Sequence, residues 1–395
     1  MSTPAPSRFR GFAVALLSLI VATAIWLPSL HFFFRPRLSS FRQGDAIAPK
    51  ARELANRHLH LWEDPAAREV EVARMRSSNA EWDFMGRTFL VLSLANMAID
   101  EPAQRERYLR VIDTILDETL ALEREKGMFF FMMDYARAGS FRANPARSVF
   151  LDGEIAMMLA ARQRVAREPR FDQPLQERVD AIVQSLSQGP VMCGESYPNE
   201  CWMFCNALAV AAVKMSDRLD SRDHSPFINQ WLATVKEKLI HKESGLLVSS
   251  FTYDGQPMDG PEGSSIWTVA HFLNFVDPDF ARDQYARARA QIGRSMLGFG
   301  YAKEWPPTWA GPMDVDSGPI VPIVGASAGS SGQALLGAAS FQDDAWLREL
   351  LTSLQFAGFP TRDGDRLSYS ASNQVGDAVL LYAMVCGPLE REAAR

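Results

Sequence analysis

Along this chain of 395 residues, helix-length segments saturated with apolar side chains alternate with segments that are apolar along a single stripe. Phe89–Ile99 is apolar nearly all round, whereas Tyr108, Ile112, Ile115, Leu116, Thr119 and Leu122 recur at helical spacing among charges. Val149–Ala161 and Trp202–Met215 are saturated again, each followed by a stripe: Leu175, Val179, Ile182, Val183 and Leu186, then Ile228, Trp231, Leu232, Val235 and Leu239. Ile266–Phe275, a weaker stripe over Phe280–Ile292, Ala334–Ala339, Trp346–Leu354 and Val379–Cys386 carry the pattern onward. A helix that is apolar on every side must be covered on every side, while a striped helix keeps a wet face. Strict alternation therefore predicts inner helices ringed by outer ones. With a first outer helix near Ala51–Trp62 there are six pairs, so the sequence predicts an all-α (α/α)6 toroid over residues 46–390. The interval between inner helices, roughly 45–65 residues, suits helical pairs that repeat.

The net charge of −6 is spread along the chain, and no basic stripe with interleaved aromatics appears. Nucleic acid is therefore not an expected partner. Residues 1–45 form a separate N-terminal segment and linker. Apart from His31, Gly11–Phe34 offers no ionisable group after Arg8 and Arg10, and it exceeds the ~20 residues needed to cross hydrocarbon. Ala22-Thr23-Ala24 would suit cleavage of a signal peptide, whereas the apolar run on to Phe34 suits an uncleaved anchor with an aromatic edge. We read it as a membrane anchor with the barrel on the exported side, cleavage being the alternative.

In such a toroid the inner helices are parallel, so polar groups at their N-terminal ends gather at one mouth. The junctions read Glu81-Trp82-Asp83, Asp152-Gly153-Glu154, Cys193 through Asn206, Glu262–Trp267, Asp314–Ser317 and Arg366–Asn373. Helix capping accounts for many of these acids. It accounts poorly for Glu154, which lies between Leu151 and Ile155 as though inside an apolar helix. A carboxyl there is either paired or raised in pKa, the state in which functional acids are found. Asp83 stands one helical turn before Arg87, so it reads equally as a salt-bridge partner and as a base.

Three of the four cysteines fall in Cys193-Gly-Glu-Ser-Tyr-Pro-Asn-Glu-Cys201-Trp-Met-Phe-Cys205-Asn206. No histidine accompanies them, so no metal site is expected. A Cys193–Cys201 disulfide, thiols tuned by a helix N-terminus for acid–base work, and simple burial all fit the spacing. Cys386 reads as core, and His271 as a residue buried on an apolar helix. No Ser-His-Asp set, phosphate loop or H-E-x-x-H is present.

Taken together and in order, Glu81-Trp82-Asp83-Phe84-Met85-Gly86-Arg87, Tyr197-Pro198-Asn199-Glu200-Cys201-Trp202-Met203-Phe204-Cys205-Asn206 and Asp277-Pro278-Asp279-Phe280 resemble the linalool dehydratase/isomerase family. The resemblance implies an exported (α/α)6 enzyme, working without metal or organic cofactor on acyclic terpene alcohols. It implies loss of water from an allylic alcohol and 1,3-migration of the hydroxyl, with a small hydrophobic alcohol or alkene as substrate and a possible homo-oligomer. Carried over by position, it makes Asp83 the mouth aspartate and Cys193 and Cys205 the catalytic cysteines. Two departures mark a diverged branch: Glu154 stands where the family has a histidine, and Cys201 is an additional thiol. The expected catalytic set is thus Asp83, Glu154, Cys193 and Cys205. Trp82, Tyr197, Glu200, Trp202, Asn206, Trp267 and Asp316 would contact substrate. Two rivals share the barrel: glycan chemistry on paired carboxylates such as Asp83 and Asp316, and a non-enzymatic membrane-tethered binding barrel.

Overall fold

The computed structural model describes residues 8–44, 46–313, 317–389 and 391. Helix α1 (Arg8–Ser29) and the single turn α2 (His31–Phe34) come first. The rest follow as α3 (Pro49–Glu63), α4 (Pro65–Ser78), α5 (Ala80–Asp100), α6 (Arg105–Lys126), α7 (Val149–Val165) and α8 (Asp172–Gln188). Then come α9 (Met203–Asp220), α10 (Ser225–Lys238), α11 (Gly263–Leu273), α12 (Pro278–Gln291), α13 (Ala328–Ser340), α14 (Asp344–Ala357) and α15 (Gln374–Val385).

Packing closes the odd-numbered helices from α5 to α15 into a ring. α5 lies against α7, α7 against α9, α9 against α11, α11 against α13, α13 against α15, and α15 returns to α5. Around it, α6 covers α5, α8 covers α7, α10 covers α9, α12 covers α11, α14 covers α13, and α3 covers α15. The molecule is an (α/α)6 barrel. Inner α7 is buried continuously from Val149 to Gln163, while outer α8 buries Leu175, Val179, Ile182 and Leu186 alone. Each such side chain contributes roughly 1.5–3 kcal/mol by leaving water, so a charge at Ile182 would strip α8 from the ring. Starts are specified locally. Asp64 caps α4 ahead of Pro65, Asp277 caps α12 ahead of Pro278, and Ser327 and Asn373 cap α13 and α15.

Two features lie outside the helical alternation. Helix α4, with Met75 its one buried residue, has almost no apolar signal and is an extra element before the first inner helix. Short antiparallel hairpins dress the connections, among them Gly293–Met296 with Phe299–Ala302 and Pro360–Asp363 with Arg366–Tyr369. Asp152-Gly153-Glu154, expected at a junction, lies inside α7. Helix α1 is apolar, exposed along its length, and the one described helix long and apolar enough to cross a membrane.

Candidate active site

Helix periodicity decides which acids face inward. On α5, Glu81 and Thr88 are two turns apart and share a face, whereas Asp83 and Arg87 share the opposite one. The Thr88 hydroxyl donates to Glu154 Oε2 on α7 at 2.6 Å, and the Tyr197 hydroxyl donates to the Glu81 carboxylate. Asp83 points the other way, accepting from Arg87 Nε at 2.8 Å and Arg76 Nη1 at 3.3 Å. Arg87 continues outward to Glu118 on α6 at 2.8 Å. Asp83 is thus bound into a buried ion network behind α5, and the inward acid of its motif is Glu81. The α7 motif divides in the same way. Asp152 turns out to Arg147 and Arg178, while Glu154, two residues on, turns in.

Glu154 is fully buried. Oε2 receives the Thr88 proton, and Oε1 has no hydrogen-bond partner among the described residues. Burial pushes its pKa up to about 8; Thr88 offsets part of that rise and nearby Glu81 adds to it. At neutral pH the group is a carboxylic acid.

Cys205, in the first turn of α9, lies within electrostatic range of Glu154, Glu81 and Glu200, with the Ser196 hydroxyl bonded to its sulfur. Burial first, and these carboxylates second, push its thiol well above the ordinary range. That reverses the expectation of a helix N-terminus tuning it toward neutrality. Cys201 stands near both Cys193 and Cys205 and is likewise raised by burial. Burial pushes Cys193 up to about 12, and it sits against Trp231 of α10. All four cysteines are free, so the expected alternative of a Cys193–Cys201 disulfide is not present.

One glycine brings Glu154 and Cys205 together. A Cβ at Gly153 would lie 2.9 Å from Ala209 Cβ and 3.2 Å from Ala209 Cα. Ala209 is one turn beyond Cys205, so the bare Gly153 backbone lets α7 and α9 approach at the level of the site.

The loop from Cys193 to Trp202 is pinned from several directions. The buried Glu195 carboxylate accepts backbone N–H groups of Arg142 at 2.8 Å, Ala143 at 2.8 Å and Asn199 at 2.6 Å. Asn206 is spent on the same task, bonding Gly194 N at 2.8 Å and Trp202 O at 2.8 Å rather than facing a ligand. Glu200 accepts from the Trp202 indole and from the Tyr135 hydroxyl, and the Tyr135 ring stacks on Tyr197 at 4.7 Å. Phe84 lies against Phe131 at 4.6 Å and Phe150 at 5.1 Å; Phe150 is one turn before Glu154, which gives the acid an apolar aromatic flank.

The expected residues therefore divide. Glu154, Cys205, Tyr197, Glu200 and Trp202 come together; Trp82 is half-buried beside Glu81 in the first turn of α5. Trp267 is elsewhere, packed on Trp346 at 5.1 Å and donating to Ser330 at 3.1 Å. Asp316 lies outside the described residues. Glu81, Thr88, Ser196 and Tyr135 were missed as site residues. For Glu81 and Thr88 the seven-residue spacing on an apolar helix was the available signal. Ser196 and Tyr135 come from irregular loops that carry no period.

The sequence model of the linalool dehydratase/isomerase family matches residues 154–374, more than half of the chain. The chain belongs to this family. Its match begins at Glu154 and takes in the whole Cys193–Asn206 loop, so the core of the site lies within the family region. No curated protein matches the chain in sequence. Among solved structures it is similar to the GH76A α-1,6-mannanase of Salegentibacter sp., at 12% identity over 78% of this chain and 89% of that one, TM-score 0.48. It is similar to a GH76 α-mannanase of Bacteroides thetaiotaomicron, at 11% identity over 78% and 86%, TM-score 0.44. A third is the unsaturated glucuronyl hydrolase of Streptococcus agalactiae, at 8% identity over 89% and 95%, TM-score 0.49.

Proposed function

We propose that this linalool dehydratase/isomerase family member is a dehydratase/isomerase acting by acid–base chemistry on an acyclic allylic alcohol, anchored by α1 with the barrel on the exported side. One observation carries the reading: a fully buried carboxyl, its pKa raised to about 8, with one oxygen held to Thr88 and the other unpartnered among the described residues. Glu154 Oε1 gives its proton to the substrate hydroxyl, the C–O bond breaks with both electrons on oxygen, and water departs from an allylic cation. The flanking rings of Phe84 and Phe150 favour the cation and keep bulk water from it.

Two outcomes follow. Water returning to the far allylic carbon surrenders a proton to the Glu154 carboxylate, giving the migrated alcohol. Alternatively, the Glu81 carboxylate, oriented by Tyr197, removes a carbon-bound proton to give the alkene. The Cys205 thiol, within electrostatic range of both acids, then passes a proton from Glu81 back to Glu154. Because the Cys205 proton is held firmly at rest, the thiol acts as a relay and Glu81 as the resting base. The glycan reading draws less support, since Asp83 is occupied by Arg87 and Arg76.

The test is incubation of the purified full-length chain with acyclic tertiary and primary allylic terpene alcohols, followed by gas chromatography of alkene and rearranged alcohol. Turnover in the wild type, lost in Glu154→Gln, is expected. Absence of both products across the panel, with release of reducing sugar from glycans instead, would overturn the proposal.

A further inference from the structure

Where α1 ends, the chain does not leave the barrel free. The His31 ring meets Phe299 at 6.5 Å, Phe34 meets Phe356 at 5.0 Å, and Phe299 and Phe356 meet at 5.4 Å. The anchor's exit is therefore fastened to the Gly293–Ala302 hairpin and the C-terminal end of α14. Around this joint the barrel exposes large apolar side chains: Phe33 of α2, Leu297 at the hairpin tip, Phe356 in the last turn of α14 and Phe359 just beyond it. Next to them a groove of about 470 Å³ runs between Phe33–Arg37 and Lys50, Gln355 and Pro360. Arg35 and Arg37 are exposed there with no acidic partner among the described residues, and Lys50 donates to Gln355 at 2.8 Å. Exposed aromatics bordering unpaired cations, continuous with an apolar helix, match the chemistry of a bilayer surface.

We propose that the barrel itself seats on the membrane through this patch, with an anionic phospholipid headgroup held between Arg35, Arg37 and Lys50. Phe33, Leu297, Phe356 and Phe359 enter the headgroup–acyl boundary beside it. This rests on reading α1 as a retained anchor. The hairpin packs on the start of α13, whose Ser331 hydroxyl accepts from Ala302 N at 3.0 Å in the first turn. The seat is thus on the half of the barrel that carries the inner-helix N-termini, so an apolar substrate dissolved in the bilayer is delivered to the side of the mouth.

The experiment uses the full chain in nanodiscs of phosphatidylcholine alone or with phosphatidylglycerol, carrying an environment-sensitive fluorophore at Leu297→Cys. The four native cysteines are buried and leave the engineered thiol the reactive one. Emission is expected to move to the blue in the anionic discs. In Arg35→Glu/Arg37→Glu it reverts while the chain stays with the disc, the seating equilibrium falling by at least roughly thirtyfold, as reversing two cations at an anionic surface implies. A label equally wet in both lipids, with the chain retained, overturns the seating and leaves the anchor standing. A chain that does not stay with the disc removes the anchor reading, and the inference with it.

Discussion

The Thr88 hydroxyl on α5 is hydrogen-bonded to Glu154 Oε2 on α7 at 2.6 Å, which orients the carboxyl and leaves Oε1 as its unpartnered oxygen among the described residues. Two inner helices thereby share one orienting contact. Glu154→Gln preserves the shape and removes the transferable proton. Turnover of an allylic alcohol is expected to fall by about 10²–10⁴ with little change in KM. Thr88→Val, which leaves the acid but frees its orientation, should cost less, and comparison of kcat between the two variants checks this.

The Glu154 pKa, raised to about 8 from an ordinary 4.5, has a stability consequence. Between those values the folded chain holds a proton that the unfolded chain has lost, so stability falls as pH rises through that window. The contribution is on the order of a few kcal/mol. Chemical denaturation from pH 5 to 8 should show a steeper decline in the wild type than in Glu154→Gln. Activity should fall above about pH 8, when the acid ionises.

Gly153→Ala places a methyl group 2.9 Å from Ala209 Cβ. The helices must separate, which typically costs about 1–3 kcal/mol. Thermal melting should show that loss. Because Glu154 and Cys205 flank the contact, kcat should drop further than the lost folded fraction explains.

Asp83→Asn tests the division of labour on α5. Removing its charge leaves Arg87 with Glu118 as its remaining carboxylate and weakens a buried hydrogen-bonded pair, so the chain should lose about 1–3 kcal/mol. Folded protein at low temperature should keep most of its kcat, unlike Glu81→Gln. An Asp83→Asn enzyme that is stable yet inactive would return Asp83 to the catalytic set.

The thiols provide a direct chemical check. All four cysteines are buried and free. An aromatic disulfide reagent should react slowly or not at all with the native chain and with four equivalents once it is denatured, with or without prior reduction. Two equivalents in the unreduced sample would reveal a disulfide.

The ring was legible because burial imposes a period: Val149–Ala161 and Leu175–Leu186 differ in how many sides they must hide, and composition records that difference. Glu154 was legible for the same reason, as a charge-capable group on a segment with no wet face. Helix α4 was not, since its stability comes from a proline start, an Asp64 cap and ion pairs rather than from an apolar stripe. Asp83 and Glu81 were confused because proximity to a helix start was weighed ahead of the angle each side chain makes about the axis. Two residues along a helix amount to about 200°, nearly opposite directions. Trp267 was an aromatic assigned to the mouth that instead fills the interface between inner and outer rings, a distinction set by tertiary packing alone.

The Tyr135 ring, 54% exposed, is stacked on Tyr197, whose own hydroxyl steadies Glu81. Shifting that ring disturbs the one beneath, and with it the carboxylate assigned to take up the proton. The position of one exposed ring and the orientation of a carboxylate at the site are therefore mechanically joined through Tyr197.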